Sequence, residues 1–158
     1  MTKPWVLLLI FKLGWFGLVL FPAYAVWVVP LVLLLLLVKM PAEKRLAWLA
    51  FSVIGMALDA TLIAMGYLET SHPLPLWLAL LWGWFMWAWL CVFSQWLAQR
   101  WQVLLFFAIG GPLAYRGGAL IGDQLGYPND LQFLAWHGVC WLVLGGLLYE
   151  WQQRRQYE

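Results

Sequence analysis

Four ionisable residues, Lys12, Asp59, Arg116 and His137, stand inside otherwise apolar stretches of this chain. An amine, a carboxyl, a guanidinium and an imidazole could between them hold a polar headgroup or act as general acid and base. Each charged one costs about 2.5–3.5 kcal/mol at the centre of a membrane helix, so it must find a partner, face a cavity or reach an interface. Asp59 is too short to reach an interface and has to be paired, hydrogen-bonded or protonated. Lys12 is its expected partner, with Arg116 second. Arg116 has a second option, because its long stem can carry the charge out to the headgroups. His137 has one too, since a neutral imidazole is satisfied by a single neighbouring carbonyl.

Known catalytic signatures are missing. The sequence contains no His-Glu-x-x-His, no Gly-x-Ser-x-Gly, no phosphate-binding loop and no paired Asp-rich motif. Ser52, Ser71 and Ser94 have no histidine at motif spacing, and His72, just before Pro73, reads as a turn residue. Cys91 and Cys140 fall at depths about 10 Å apart, too far for a disulfide. They have no companions for a metal site, and no cofactor is expected.

The elements that position these residues follow from composition. Of 158 residues, 65% are hydrophobic and 10% charged, whereas a soluble domain is nearer a quarter charged. A net charge of +2 without a basic cluster excludes nucleic-acid binding. Charges and turn residues divide the chain into six apolar runs, at about 5–20, 23–38, 46–68, 74–97, 101–122 and 131–149. A spanning helix needs about 20 such residues. The expected fold is therefore an all-α membrane protein, one domain over residues 1–158, with six transmembrane helices and short loops. Lys3, Lys39, Lys44, Arg45, Arg100, Arg154 and Arg155 all fall on one side of such a bundle. The opposite loops carry the acids Glu69, Asp123 and Asp130. This places both termini in the cytoplasm. The start, with Lys3, an apolar run and Ala23-Tyr24-Ala25, also resembles a signal peptide, although Lys12 interrupts its apolar region. Counted from the outer ends, Lys12 and Asp59 lie about 14 Å deep and Arg116 and His137 about 9 Å deep, all in the outer half of the bilayer.

Helical periodicity assigns faces. Ser52, Gly55, Asp59, Ile63 and Gly66 share one, whose small residues admit a neighbouring helix. Trp82 and Trp89 share a face of the fourth helix and Trp84 and Trp87 the opposite one, so tryptophans ring that helix. They suit packing and lipid contact, or, at Trp84 and Trp87, a planar or isoprenoid-like ligand. Gly110, Ala114, Gly118 and Gly122, spaced by four, read as a helix-packing stripe. Pro112 beside the stripe could instead break the helix, as in transporter sites. Val29-Pro30-Leu31 and Gly111-Pro112-Leu113 hint at two halves of three helices each.

The stretch Gly55-x-x-x-Asp59-x-x-Leu62, Gly66, Pro75-x-Trp77, Leu81-Trp82 and the run from Gly110 to Gly122 resembles a domain-of-unknown-function family of small bacterial inner-membrane proteins. That resemblance implies a bacterial inner membrane. Its relatives are often encoded near genes for fatty-acyl-modifying enzymes, which leans towards lipid. It supplies no catalytic residues, and Arg116 occupies a position expected to be apolar in relatives. The expected function is binding or translocation of a lipid or small amphiphile, with Lys12, Asp59, Arg116, His137, Trp84 and Trp87 as ligand-binding residues. Two alternatives are a non-catalytic membrane partner or assembly subunit, a homo-oligomer among them, and a lipid-modifying enzyme with Asp59 or His137 as acid or base.

Overall fold

The computed structural model describes residues 4–155, and Lys3 and Glu158 lie outside the described residues. Six helices account for most of it: α1 (Pro4–Leu20), α2 (Pro22–Val38), α3 (Ala42–Ala64), α4 (Leu76–Trp96), α5 (Arg100–Ile121) and α6 (Asp130–Arg154). Local chemistry sets their ends. Pro22 occupies the first turn of α2 and Pro75 the N-cap of α4, where a missing N–H is harmless. Gln99 and Gln102 form a reciprocal capping box at the start of α5. The Asn129 side chain accepts from the Gln132 N–H at 3.0 Å to start α6.

The end of α3 is closed by Gly66, whose φ is +74°. The Tyr67 N–H reaches back to the Leu62 carbonyl at 2.9 Å and the Gly66 N–H to that of Ile63 at 3.0 Å. This is a Schellman closure, so Gly66 caps the helix and does not continue the packing face predicted for it. Gly117 differs: it is inside a helix and a methyl group there would meet nothing within 4 Å. Gly66→Ala should lower stability by about 1 kcal/mol through the left-handed backbone. Gly117→Ala should raise it by roughly 0.5–1 kcal/mol by removing helical glycine entropy. Thermal denaturation of the two variants in one detergent checks the opposite signs.

The described residues form two compact units. The first holds α1, α2, α3 as far as Ala60, and α4. Here α4 is the central helix: α1 and α2 pack on it and on each other. Two-thirds of its most apolar stretch is buried, against about a third or less for α3, α5 and α6. That is why tryptophans on opposite faces of α4 can all be inside: Trp82, Trp84, Trp87 and Trp89 are each at most 2% exposed. None of the four is a lipid-contact residue.

The second unit holds the end of α3 from Thr61, the loop to Thr70, and α5 with α6. The loop after α3 is tied to the loop after α5 by a two-way backbone bridge, Glu69 to Gly126, at 2.8 and 2.9 Å. Helices α5 and α6 run antiparallel in a register that advances by one turn per step. Phe107 lies against Gly145, Gly111 against Trp141, and Tyr115 against His137. The first two steps fit a ring onto a glycine, which lets the helices approach closely. The third sets ring against ring.

This register corrects the predicted glycine stripe. Residues Phe106–Gly110 form a π turn. Pro112 has no N–H for the Ala108 carbonyl, and the wider turn accommodates its ring without breaking the helix. The π turn rotates the remainder of α5, so Gly111, Tyr115 and Gly118 are buried while Gly110 and Ala114 are only half-buried. Gly122 lies beyond the helix as its C-cap, with extended backbone. The division into three plus three helices is not seen either, because α4 belongs with α1–α3 and Pro30 sits in an unbroken α-helix.

Candidate functional site

Three polar side chains are buried among the described residues: Ser52, Asp59 and His137. Asp59 belongs to the first unit. It is 1% exposed, and its carboxylate accepts from the Trp82 indole N–H at 2.6 Å. The geometry follows from spacing along α3. Gly55 lies one turn before Asp59, and the six-membered ring of Trp82 occupies the space a Gly55 side chain would fill. The glycine seats the ring, and the seated ring delivers its N–H to the carboxylate.

The same device recurs nearby. Trp84 lies over Gly14 of α1 and donates to the Phe11 carbonyl at 2.9 Å. From α3, Trp48 donates to the Gly83 carbonyl of α4 at 2.7 Å. Three indoles thus link α4 to its neighbours through hydrogen bonds inside an apolar core, where each needs a partner. Trp84 and Trp87, 5.4 Å apart between ring centroids, are buried within this packing and present no exposed face.

Asp59 is not held by Lys12. Lys12 is exposed on α1, two positions before Gly14, which faces α4. Two helical steps of about 100° put the lysine on the far side. Arg116, the second predicted partner, reaches outward instead: its guanidinium lies 3.5 Å from Asp130 at the start of α6, with both side chains substantially exposed. The outward option is the one taken, and such an exposed pair contributes at most about 1 kcal/mol. Within the first unit Lys12 therefore does not pair with Asp59, and within the second Arg116 pairs with Asp130.

His137 belongs to the core of the second unit and is completely buried. Its Nδ1 is 3.2 Å from the Phe133 carbonyl one turn back, the local bond expected from the sequence. A carbonyl can only accept, so Nδ1 carries the proton and Nε2 is a bare acceptor. Nε2 has no hydrogen-bond partner among the described residues. Tyr115 and Phe133 wall the imidazole at centroid distances of 5.1 and 4.1 Å, and Tyr127 stacks on Phe133 at 4.3 Å. Sequence reading missed these aromatic walls, although Tyr127, Phe133 and His137 are spaced closely enough for the loop and first turns of α6 to bring them together.

It also missed Lys44. A second π turn, Trp89–Phe93 in α4, turns the Leu90 carbonyl towards Lys44, whose ammonium donates to it at 3.0 Å. Ser94 donates to the same oxygen at 3.4 Å. No proline marks this turn in the sequence, so nothing local announced it. Cys91 and Cys140 form no disulfide among the described residues.

The architecture is that of an all-helical protein with four helices long and apolar enough to cross a membrane. The chain belongs to the family described as "Protein of unknown function (DUF2878)", which matches residues 4–147. No curated protein and no solved structure matches it. The matched range includes Gly55, Asp59, Trp82 and His137.

Proposed function

We propose that this is a six-span protein of the bacterial inner membrane, with both termini cytoplasmic, that binds a lipid or small amphiphile between α5 and α6. His137 is its polar contact. The single observation that carries this reading is the fully buried Nε2 with no partner among the described residues. An unpaired buried acceptor costs about 1–3 kcal/mol, and a bound donor recovers that cost. The neighbouring rings supply an apolar wall for the rest of the ligand.

Other features support the membrane setting. Tyr24, Trp27, Leu31, Leu35 and Val38 form one strongly exposed face of α2, which acyl chains would cover. With 17 residues each, α1 and α2 are about 25 Å long, short of a hydrocarbon core of about 30 Å. Local thinning and an outward-reaching Lys12 accommodate the difference. A second reading, a non-catalytic assembly subunit, draws on the same α2 face, which would also seat an apolar helix.

The binding reading is tested by purifying wild type and His137→Phe in mild detergent and identifying co-purified lipids by mass spectrometry. Phenylalanine keeps the ring against Tyr115 and Phe133 but removes the acceptor. An amphiphile retained by wild type should fall several-fold, up to about tenfold, in the variant. An unchanged lipid profile contradicts the proposal.

A further inference from the structure

We infer that the amphiphile is a neutral alcohol, with a free hydroxyl on an alkyl, isoprenoid or diacylglycerol-like body, whose O–H donates to His137 Nε2. This rests on the reading of His137 as the binding group and specifies what that group selects.

Three observations converge on the class. Protonation comes first: with Nδ1–H committed to the Phe133 carbonyl, Nε2 offers a lone pair and calls for a donor. Ester carbonyls and phosphodiester oxygens have only lone pairs to offer and would face Nε2 acceptor to acceptor. A hydroxyl donates. Charge comes second. Arg116, the cation on the adjoining stretch of α5, is turned to Asp130. A phosphate or carboxylate at His137 would therefore be desolvated without that counter-charge, whereas a hydroxyl needs none. The third is the packing register. Phe107 and Trp141 each meet a glycine across the α5–α6 interface, but Tyr115 meets His137. The one step without a glycine is the one with a polar atom left over.

Position agrees with this assignment. His137 lies about 10 Å along α6 from its start at Asp130. A hydroxyl held there leaves the chain of the ligand in hydrocarbon and brings no charged headgroup below the interface. Because the imidazole is 0% exposed, entry requires the Tyr115 or Phe133 ring to move aside.

The full chain in phosphatidylcholine nanodiscs tests the inference by native mass spectrometry with three ligands sharing the same two acyl chains: diacylglycerol, its acetyl ester and phosphatidic acid. A long-chain alcohol and its methyl ether form a second pair. Diacylglycerol should be retained about tenfold over its acetyl ester, and the alcohol similarly over the ether. Phosphatidic acid should do no better than the ester, and His137→Phe should erase the preferences. Equal retention of hydroxyl and capped forms by wild type, or tighter phosphatidic acid, overturns the inference; that comparison needs no variant. If capped and free forms bind equally and His137→Phe weakens both, the binding site stands and the hydroxyl assignment falls. If no added ligand exceeds the phosphatidylcholine background and none co-purifies, the binding reading itself falls.

Discussion

Trp82→Ala should be the most damaging truncation in the first unit. It removes a ring that is 2% exposed, and loss of such a ring costs about 3–5 kcal/mol through the cavity left behind. It also deprives the Asp59 carboxylate of its 2.6 Å indole donor. Trp82→Phe separates the two effects in part, since it keeps an aromatic ring but loses the N–H together with some of the indole volume, for about 1–3 kcal/mol. Gly55→Ala attacks the same lock from the other side, because the new methyl group would overlap the Trp82 ring; overpacking of this kind costs about 1–3 kcal/mol. The Gly55→Ala and Trp82→Phe losses should be non-additive, because both displace one indole. Thermal unfolding of the three variants and the double variant in a single detergent provides the comparison. Trp82→Phe matching wild type would show that the indole–carboxylate bond contributes nothing.

The second large effect distinguishes two adjacent glycines. Gly111→Val should destabilise the α5–α6 pair by about 1–3 kcal/mol or more, since any side chain there runs into the Trp141 ring. Gly110→Ala should be tolerated. Its methyl group would sit 3.9 Å from Phe106, an ordinary contact. The reverse order would mean that the π turn does not set the register of α5, and that the stripe beginning at Gly110 is the packing face after all. Unfolding curves for both variants, measured alongside wild type, decide this.

Hydrophobic run length made all six helices legible, with most ends displaced by no more than about four residues, the scatter expected of boundaries, and the end of α6 at Arg154 lying further out than the expected 149. The face of α3 carrying Ser52, Gly55 and Asp59 was also readable, because three residues at helical spacing define a stripe without help from tertiary structure. The partner of Asp59 was not. Opposite charges at equal depth suggested Lys12, yet depth fixes only one of three coordinates, and the face of α1 that meets α4 is the one bearing Gly14. A buried carboxylate can be satisfied by a neutral donor, and no charge count reveals an indole N–H. The ring of tryptophans on α4 was legible as a ring, but its meaning depended on α4 being central, which is a matter of topology. The one-residue shift of the α5 face had a local cause in Pro112, while the π turn at Trp89–Phe93 had no such marker. For His137 the sequence suggested a bond to a neighbouring carbonyl, and the structure gives that partner as Phe133, one helical turn back. The sequence could not supply the unpaired Nε2, which depends on what α5 brings opposite.

The most direct measurement is nitrogen NMR of the His137 imidazole. The chain has two histidines, so His72→Gln leaves a single ¹⁵N-labelled ring in nanodisc-embedded protein. The account predicts a neutral imidazole with its proton on Nδ1 and an unprotonated Nε2, whose resonance moves when a long-chain alcohol is added and stays in place with the corresponding methyl ether. A proton on Nε2, or the same response to alcohol and ether, would contradict it.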